Sequence, residues 1–244
     1  MYFVAYNPLT LVCLSPKLFR MQGRPHPLIT GNIYHIYNKT IEKRRVFIEQ
    51  YCDIFIKTAC YYRSSQSILR FSNLRKLSPA LLEQYEQRVL DERTFRVTIL
   101  AYCLMPTHYH ILIRQNQDKG ISFFVSQLQN SFTRFYNLKS LRTGPIFLEK
   151  FKSRPIVSEE VLKHVSRYIH LNPYSSGLIQ KTNEIERYPY SSFFEYVEAR
   201  GRSLCDPTTV LSFFDGDRKR YKDFVLDNAE YQKTLEYCKY SNRW

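Results

Sequence analysis

The clearest pattern along the chain is a pair of apolar runs, Thr94–Met105 and His108–Arg114, joined by the short turn Met105-Pro106-Thr107. Runs of this length bounded by turn residues predict a β-hairpin. Upstream, Ile33–Thr40 (IYHIYNKT) alternates as a first strand, entered from a loop carrying Pro25, Pro27 and Gly31. Val46–Tyr62 then places apolar residues at 47, 48, 51, 54 and 55, with Thr58 continuing the helical period. A polar stretch, 64–93, holds a second helix signal, Ser78-Pro79 followed by LLEQYEQRVLDER, with a capping serine and proline at the first helical position. Gly120–Leu141 is amphipathic, with apolar residues at 121, 124, 125, 128, 132 and 135.

Arg142–Arg154 (RTGPIFLEKFKSR) reads as a basic loop, and Pro155–Val157 as a short strand. Ser158 opens a further helix with Glu159 and Glu160 in its first turn, where the helix dipole favours acids. Asn172-Pro173 is expected to close that helix. From Tyr188 to Trp244 the pattern is helical. This order predicts an α+β fold, an antiparallel sheet with helices packed on one face, plus a helical C-terminal extension. The expected division is an N-terminal arm at 1–27, a domain at 28–180 with a helical excursion at 64–93, and the extension at 181–244.

Composition sharpens the class of partner. The 244 residues carry 36 Lys+Arg against 22 Asp+Glu, a net charge of +14, with 20 Tyr and 17 Phe. Basic surface interleaved with aromatic rings suits a polyanion whose bases can stack, and suits a small acidic metabolite poorly. The six cysteines form no CxxC pair, which points to reduced thiols and a cytoplasmic location. No apolar run reaches the length of a membrane span. Residues 1–20 lack a basic region ahead of an apolar one, so a signal peptide is not expected; an arm, or a true start at Met21, is.

Candidate chemistry lies in the hairpin. His108 and His110 are spaced i, i+2, which on a strand puts both imidazoles on one face. Two neutral imidazoles can share one cation and usually want a third ligand from elsewhere. The helix after Ser158 offers Tyr168 and Asn172, neighbours at i, i+4. If the imidazoles and the Asn172 side-chain oxygen hold Mg²⁺ or Mn²⁺, the metal polarises a scissile phosphate and Tyr168 attacks phosphorus. An isolated HxH is weak evidence, since half-buried strand histidines are common, and twenty tyrosines produce chance YxxxN patterns. Tyr136 is a rival nucleophile, although Phe132 and Phe135 beside it favour core or base-stacking duty. His35 reads as a packing residue of the sheet face, and His164 and His170 as surface or DNA-proximal residues.

The residues around these positions add a resemblance. AYCLMPTHYHILI (101–113), YHIYNK (34–39), GPIFLEKFKSR (144–154) and RYIHLNPYSSGL (167–178) together resemble the single-tyrosine transposases of the insertion-sequence-200-like family. Within it they are most similar to the REP-associated tyrosine branch, over about 28–178. His108-Tyr109-His110 matches the family's HUH signature of histidine, bulky hydrophobic residue, histidine. The resemblance implies an RRM-like antiparallel sheet with the HUH pair on a central strand, Tyr168 as nucleophile, and His108, His110 and Asn172 as ligands of Mg²⁺ or Mn²⁺. It further implies single-stranded DNA, often with a hairpin, as substrate, and cleavage through a 5′-phosphotyrosine. A monomer or homodimer associated with the nucleoid is expected. Lys150, Lys152, Arg154, Arg134 and Tyr136 are the expected DNA contacts. Three departures, Thr107 for Asn, Thr40 for Gly and NPYSSGL for NPVRAGL, look peripheral to the chemistry.

Two other classes compete. A catalytically silent relative could hold a single strand or hairpin on the same basic, aromatic surface. A metal-dependent hydrolase of small phosphates fits the ligands and not the charge.

Overall fold

The computed structural model describes residues 26–198 and 204–241. Residues 1–25 of the expected N-terminal arm at 1–27, and with them both candidate starts, Met1 and Met21, lie outside the described residues. Strands β1 (Ile33–Lys39), β2 (Val97–Met105), β3 (His108–Gln115) and β4 (Lys152–Pro155) form one sheet in the order β2-β3-β1-β4. Every neighbouring pair is antiparallel. With the intervening helices this is a β-α-β-β-α-β arrangement, the RRM-like topology expected. The fourth strand falls on Lys152–Pro155 and not on Pro155–Val157. Its charged residues alternate at a sheet edge, where charge blunts further pairing, so it lacks the apolar run that marks an inner strand.

Helices cover both faces of the sheet, which corrects the one-face expectation. On one face, α1 (Glu49–Tyr62) and α3 (Gly120–Lys139) bury Phe55, Phe124, Leu128 and Phe132 against Tyr34, Ile36, Tyr109, Ile111 and Ile113. Tyr109, the middle residue of the HUH triplet, is fully buried there, and Gln129 donates to its hydroxyl at 2.8 Å. Burying each such side chain stabilises the fold by about 1.5–3 kcal/mol. The excursion expected at 64–93 contains α2 (Pro79–Leu90), whose first turn is capped by Ser78 as its sequence predicts.

The opposite face carries α4 (Glu159–Ser175) and the C-terminal helices. Ser158 Oγ accepts from the Val161 N–H at 3.2 Å. The helix runs through Pro173 to Ser175 and does not stop at Asn172. Pro173 lacks the N–H that would bond the Ile169 carbonyl, and only Tyr174 and Ser175 follow it in the helix. Beyond it lie α5 (Phe193–Val197), α6 (Thr208–Leu211), α7 (Arg218–Leu226) and α8 (Ala229–Ser241). His170 contradicts its surface reading. It is fully buried, with Nδ1 2.8 Å from Tyr221 Oη on α7 and Nε2 2.8 Å from Ser192 Oγ. Tyr221 donates onward to Ser166 Oγ at 3.1 Å, so this polar network ties the extension to α4.

Candidate active site

Strand register assembles the site before any helix contributes to it. Across β1 and β3, Tyr37 pairs with His110 and Lys39 with His108; across β1 and β4, His35 pairs with Arg154 and Tyr37 with Lys152. Directly paired residues share a face. His35, Tyr37, Lys39, His108, His110, Lys152 and Arg154 therefore stand on the face that α4 crosses. The imidazoles of His108 and His110 are edge to face with centroids 5.0 Å apart. The Tyr168 ring descends from α4 to 5.6 Å from His110 and 5.9 Å from His35.

Burial holds these histidines neutral. Desolvation, and then the Arg154 cation, lower His35 to about 4. Desolvation and the Lys39 ammonium bring His108 to about 4, against a smaller opposing pull from Glu236. His110 lies well below the ordinary histidine value, through burial first and then the neighbouring His35, His108 and Lys39. Neutral imidazole is the form that offers a lone pair to a metal.

Whether a divalent cation suits this pair is decided at the ring nitrogens. His110 Nδ1 is hydrogen-bonded to His35 Nε2 at 2.9 Å, and His108 Nδ1 to Thr107 Oγ1 at 3.1 Å. Both histidines thus have Nδ1 engaged, which leaves Nε2 as the nitrogen for a ligand. That division of labour is the one metal-binding histidines show. Thr107 in turn is held by Thr40, whose N–H donates to the Thr107 carbonyl at 2.8 Å and whose hydroxyl lies 3.0 Å from it. The residues at the two departures, Thr40 and Thr107, are therefore joined to each other and to His108.

Asn172 sits one turn after Tyr168 and donates from Nδ2 to the Tyr168 carbonyl at 2.8 Å, leaving its amide oxygen as the remaining acceptor. The described residues contain no cluster of three His, Cys, Asp or Glu side chains arranged for a metal. A cation held by His108 and His110 would need further oxygen donors to complete its shell. Gln232 of α8 also donates to the Tyr168 carbonyl, at 3.1 Å. The C-terminal extension thus reaches the turn that carries the tyrosine, a contact that its sequence does not signal.

Among the expected DNA contacts, Lys150, Lys152 and Arg154 are exposed, the last two on the His face at the sheet edge. Arg134 is exposed on α3, in the layer across the sheet. Tyr136 corrects its assignment as a stacking platform. It is 9% exposed, packed against Tyr51 and Phe132 within the α1–α3 core. That position also removes it as a rival nucleophile, because the histidines face the other way. His164 is exposed, with Nε2 3.3 Å from a Glu160 carboxylate oxygen, as expected of a surface residue. His35 was underrated by its sequence, since alternation alone places it beside Tyr37 but says nothing of the strand that brings His110 to it.

Comparison with known proteins adds the following. Residues 78–172 match the family model described as "Transposase IS200 like", a span that includes His108, His110, Tyr168 and Asn172. No curated protein matches the chain. Among solved structures it is similar to one described as the REP-associated tyrosine transposase bound to a REP hairpin. The identity is 17%, the TM-score 0.49, and the match covers 77% of this chain and 90% of that one. No helix of the described residues is long and apolar enough to cross a membrane.

Proposed function

We propose that this protein, whose residues 78–172 match the IS200-like transposase model, is a metal-dependent single-stranded DNA endonuclease and strand transferase, working on hairpin-bearing sites in the cytoplasm, at the nucleoid. The observation that carries the reading is the meeting of Tyr168 with the His108–His110 pair across the gap between α4 and the sheet.

His108 and His110, through Nε2, and Asn172, through its amide oxygen, are the ligands in this reading. Mg²⁺ or Mn²⁺ bound there supplies Lewis acidity to the scissile phosphate. Tyr168 Oη attacks phosphorus, the bond from phosphorus to the 3′ oxygen breaks, and the DNA 5′ end becomes a phosphotyrosine. The departing 3′ oxygen takes up a proton, and the phenol, with an ordinary pKa of about 10, gives one up to water during attack. The phosphodiester energy is retained in the tyrosyl link, so a 3′ hydroxyl from another end can reverse the step and restore a continuous strand. Lys39, Lys152 and Arg154 line the same face as cations for the backbone phosphates.

In this reading the catalytic unit is the sheet with α1, α3 and α4, and the described C-terminal helices brace α4. The test is nicking of a labelled hairpin oligonucleotide with Mn²⁺, with Mg²⁺ or with EDTA. Cleavage that needs the metal and is lost in His108→Ala/His110→Ala supports the proposal. Tight binding without cleavage under any condition favours a silent DNA-binding relative.

A further inference from the structure

Beyond the four residues just assigned, the site contains a third histidine whose task the reaction does not name. His35 is 7% exposed, and its Nε2 lies 2.9 Å from His110 Nδ1. Its ring is confined by Tyr37 at 5.4 Å, His110 at 5.1 Å and Tyr168 at 5.9 Å between centroids, so its orientation is fixed by packing. With Nε2 turned to His110, His35 is not itself placed as a ligand.

A hydrogen bond between two neutral imidazoles has two versions. If His35 donates, the proton of His110 sits on Nε2, and that nitrogen has no lone pair for a metal. If His110 donates from Nδ1, its Nε2 is bare. We propose that His35 is a positioning residue that accepts the Nδ1–H of His110 and so fixes the tautomer in which His110 Nε2 binds the divalent cation. This rests on the reading of His108 and His110 as metal ligands. The geometry favours the acceptor role: with His110 Nδ1 committed to His35 at 2.9 Å, Nε2 is the nitrogen left for a cation, and it is bare only when Nδ1 carries the proton that His35 accepts. Thr107 Oγ1 holds the equivalent place at His108 Nδ1, so the two ligands are oriented by different chemistry, a hydroxyl on one and an imidazole on the other.

The experiment is a Mn²⁺ titration of the DNA-free protein followed by electron paramagnetic resonance, with no turnover involved. His35→Phe keeps the ring volume and removes the acceptor; His35→Gln places an amide oxygen near the lost nitrogen. The expected result is a drop in Mn²⁺ affinity of about ten- to a hundredfold in His35→Phe, with most of it recovered in His35→Gln. Equal affinity in His35→Phe and wild type, or a loss in His35→Gln as deep as in His35→Phe, overturns the proposal. His108→Ala/His110→Ala separates the two claims. If that variant binds Mn²⁺ like wild type, the metal reading itself fails; if it loses binding while His35→Phe does not, only the role of His35 fails. A second measurement needs no substitution. Nitrogen-15 spectra of the wild-type protein with diamagnetic Mg²⁺ should show His110 protonated at Nδ1 and His35 bare at Nε2, and the reverse pattern contradicts the assignment.

Discussion

The ring of Tyr168 stands edge-on to that of His110, with planes at 89° and centroids 5.6 Å apart. The two residues belong to different layers, one on a helix and one on a central strand. Their meeting depends on how α4 is seated. Leu162, Ile169 and Leu171 bury that helix against Leu100, Cys103 and Leu112, while Gln232 grips the Tyr168 carbonyl from the other side. The geometry of this candidate site is a product of packing, and the C-terminal helices are part of it.

The charged sheet edge predicts the salt dependence of DNA binding. Each phosphate contact to a single strand contributes about 0.7 to the slope of log affinity against log salt. Lys152→Ala and Arg154→Ala should each lower that slope by about 0.7 and weaken binding evenly across sequences. Fluorescence anisotropy over a range of salt concentrations checks it. Arg134→Ala in the same series reads whether the DNA track extends to α3.

Stability should depend on Gly120 at the start of α3. A Cβ built there meets the Arg96 carbonyl oxygen at 2.4 Å, a backbone atom that cannot swing aside. Gly120→Ala is expected to cost about 1–3 kcal/mol, read from urea unfolding. An unchanged midpoint would show that α3 can shift without loss.

Acid should destabilise the metal-free protein well before its carboxylates titrate. Burial holds His170 at about 3 and, as the larger cause, His35 and His108 at about 4, against 6.5 for the exposed group. Between about pH 6.5 and 4 the unfolded chain therefore binds more protons than the folded one, and stability falls as pH falls. Each such histidine adds up to about 1.4 kcal/mol per pH unit to the slope. Urea midpoints should drop steadily from about pH 7 to about pH 5. A midpoint that stays level across this window contradicts the neutral, buried state of the three rings.

Much of this was legible in the chain because periodicity survives folding. The hairpin, the first strand, the amphipathic helix at 120 and the Ser158 cap all fall where the apolar pattern puts them. That His108 and His110 share one strand face and that Tyr168 precedes Asn172 by one helical turn was legible because both spacings are local, while the roles expected of them came from the family resemblance and not from spacing. What stayed hidden is long-range. Nothing in IYHIYNK says that β3 will lie beside it in the register that sets His35 against His110. The burial of His170 depends on Tyr221 and Ser192, 51 and 22 residues away. The edge strand at Lys152–Pro155 carries no apolar signal, because Lys152 and Arg154 are exposed on the face they share with His35 and Tyr37, and Ser153 and Pro155 are only half-buried on the other.

The central claim is covalent chemistry at one tyrosine, and a denaturing gel tests it most directly. Labelled single-stranded hairpin DNA is incubated with protein and Mn²⁺, and the reaction is stopped with SDS. The account predicts a protein–DNA adduct that survives the detergent, requires the metal and disappears in Tyr168→Phe. An adduct that persists in Tyr168→Phe would contradict it, as would cleavage that proceeds in wild type without any covalent species.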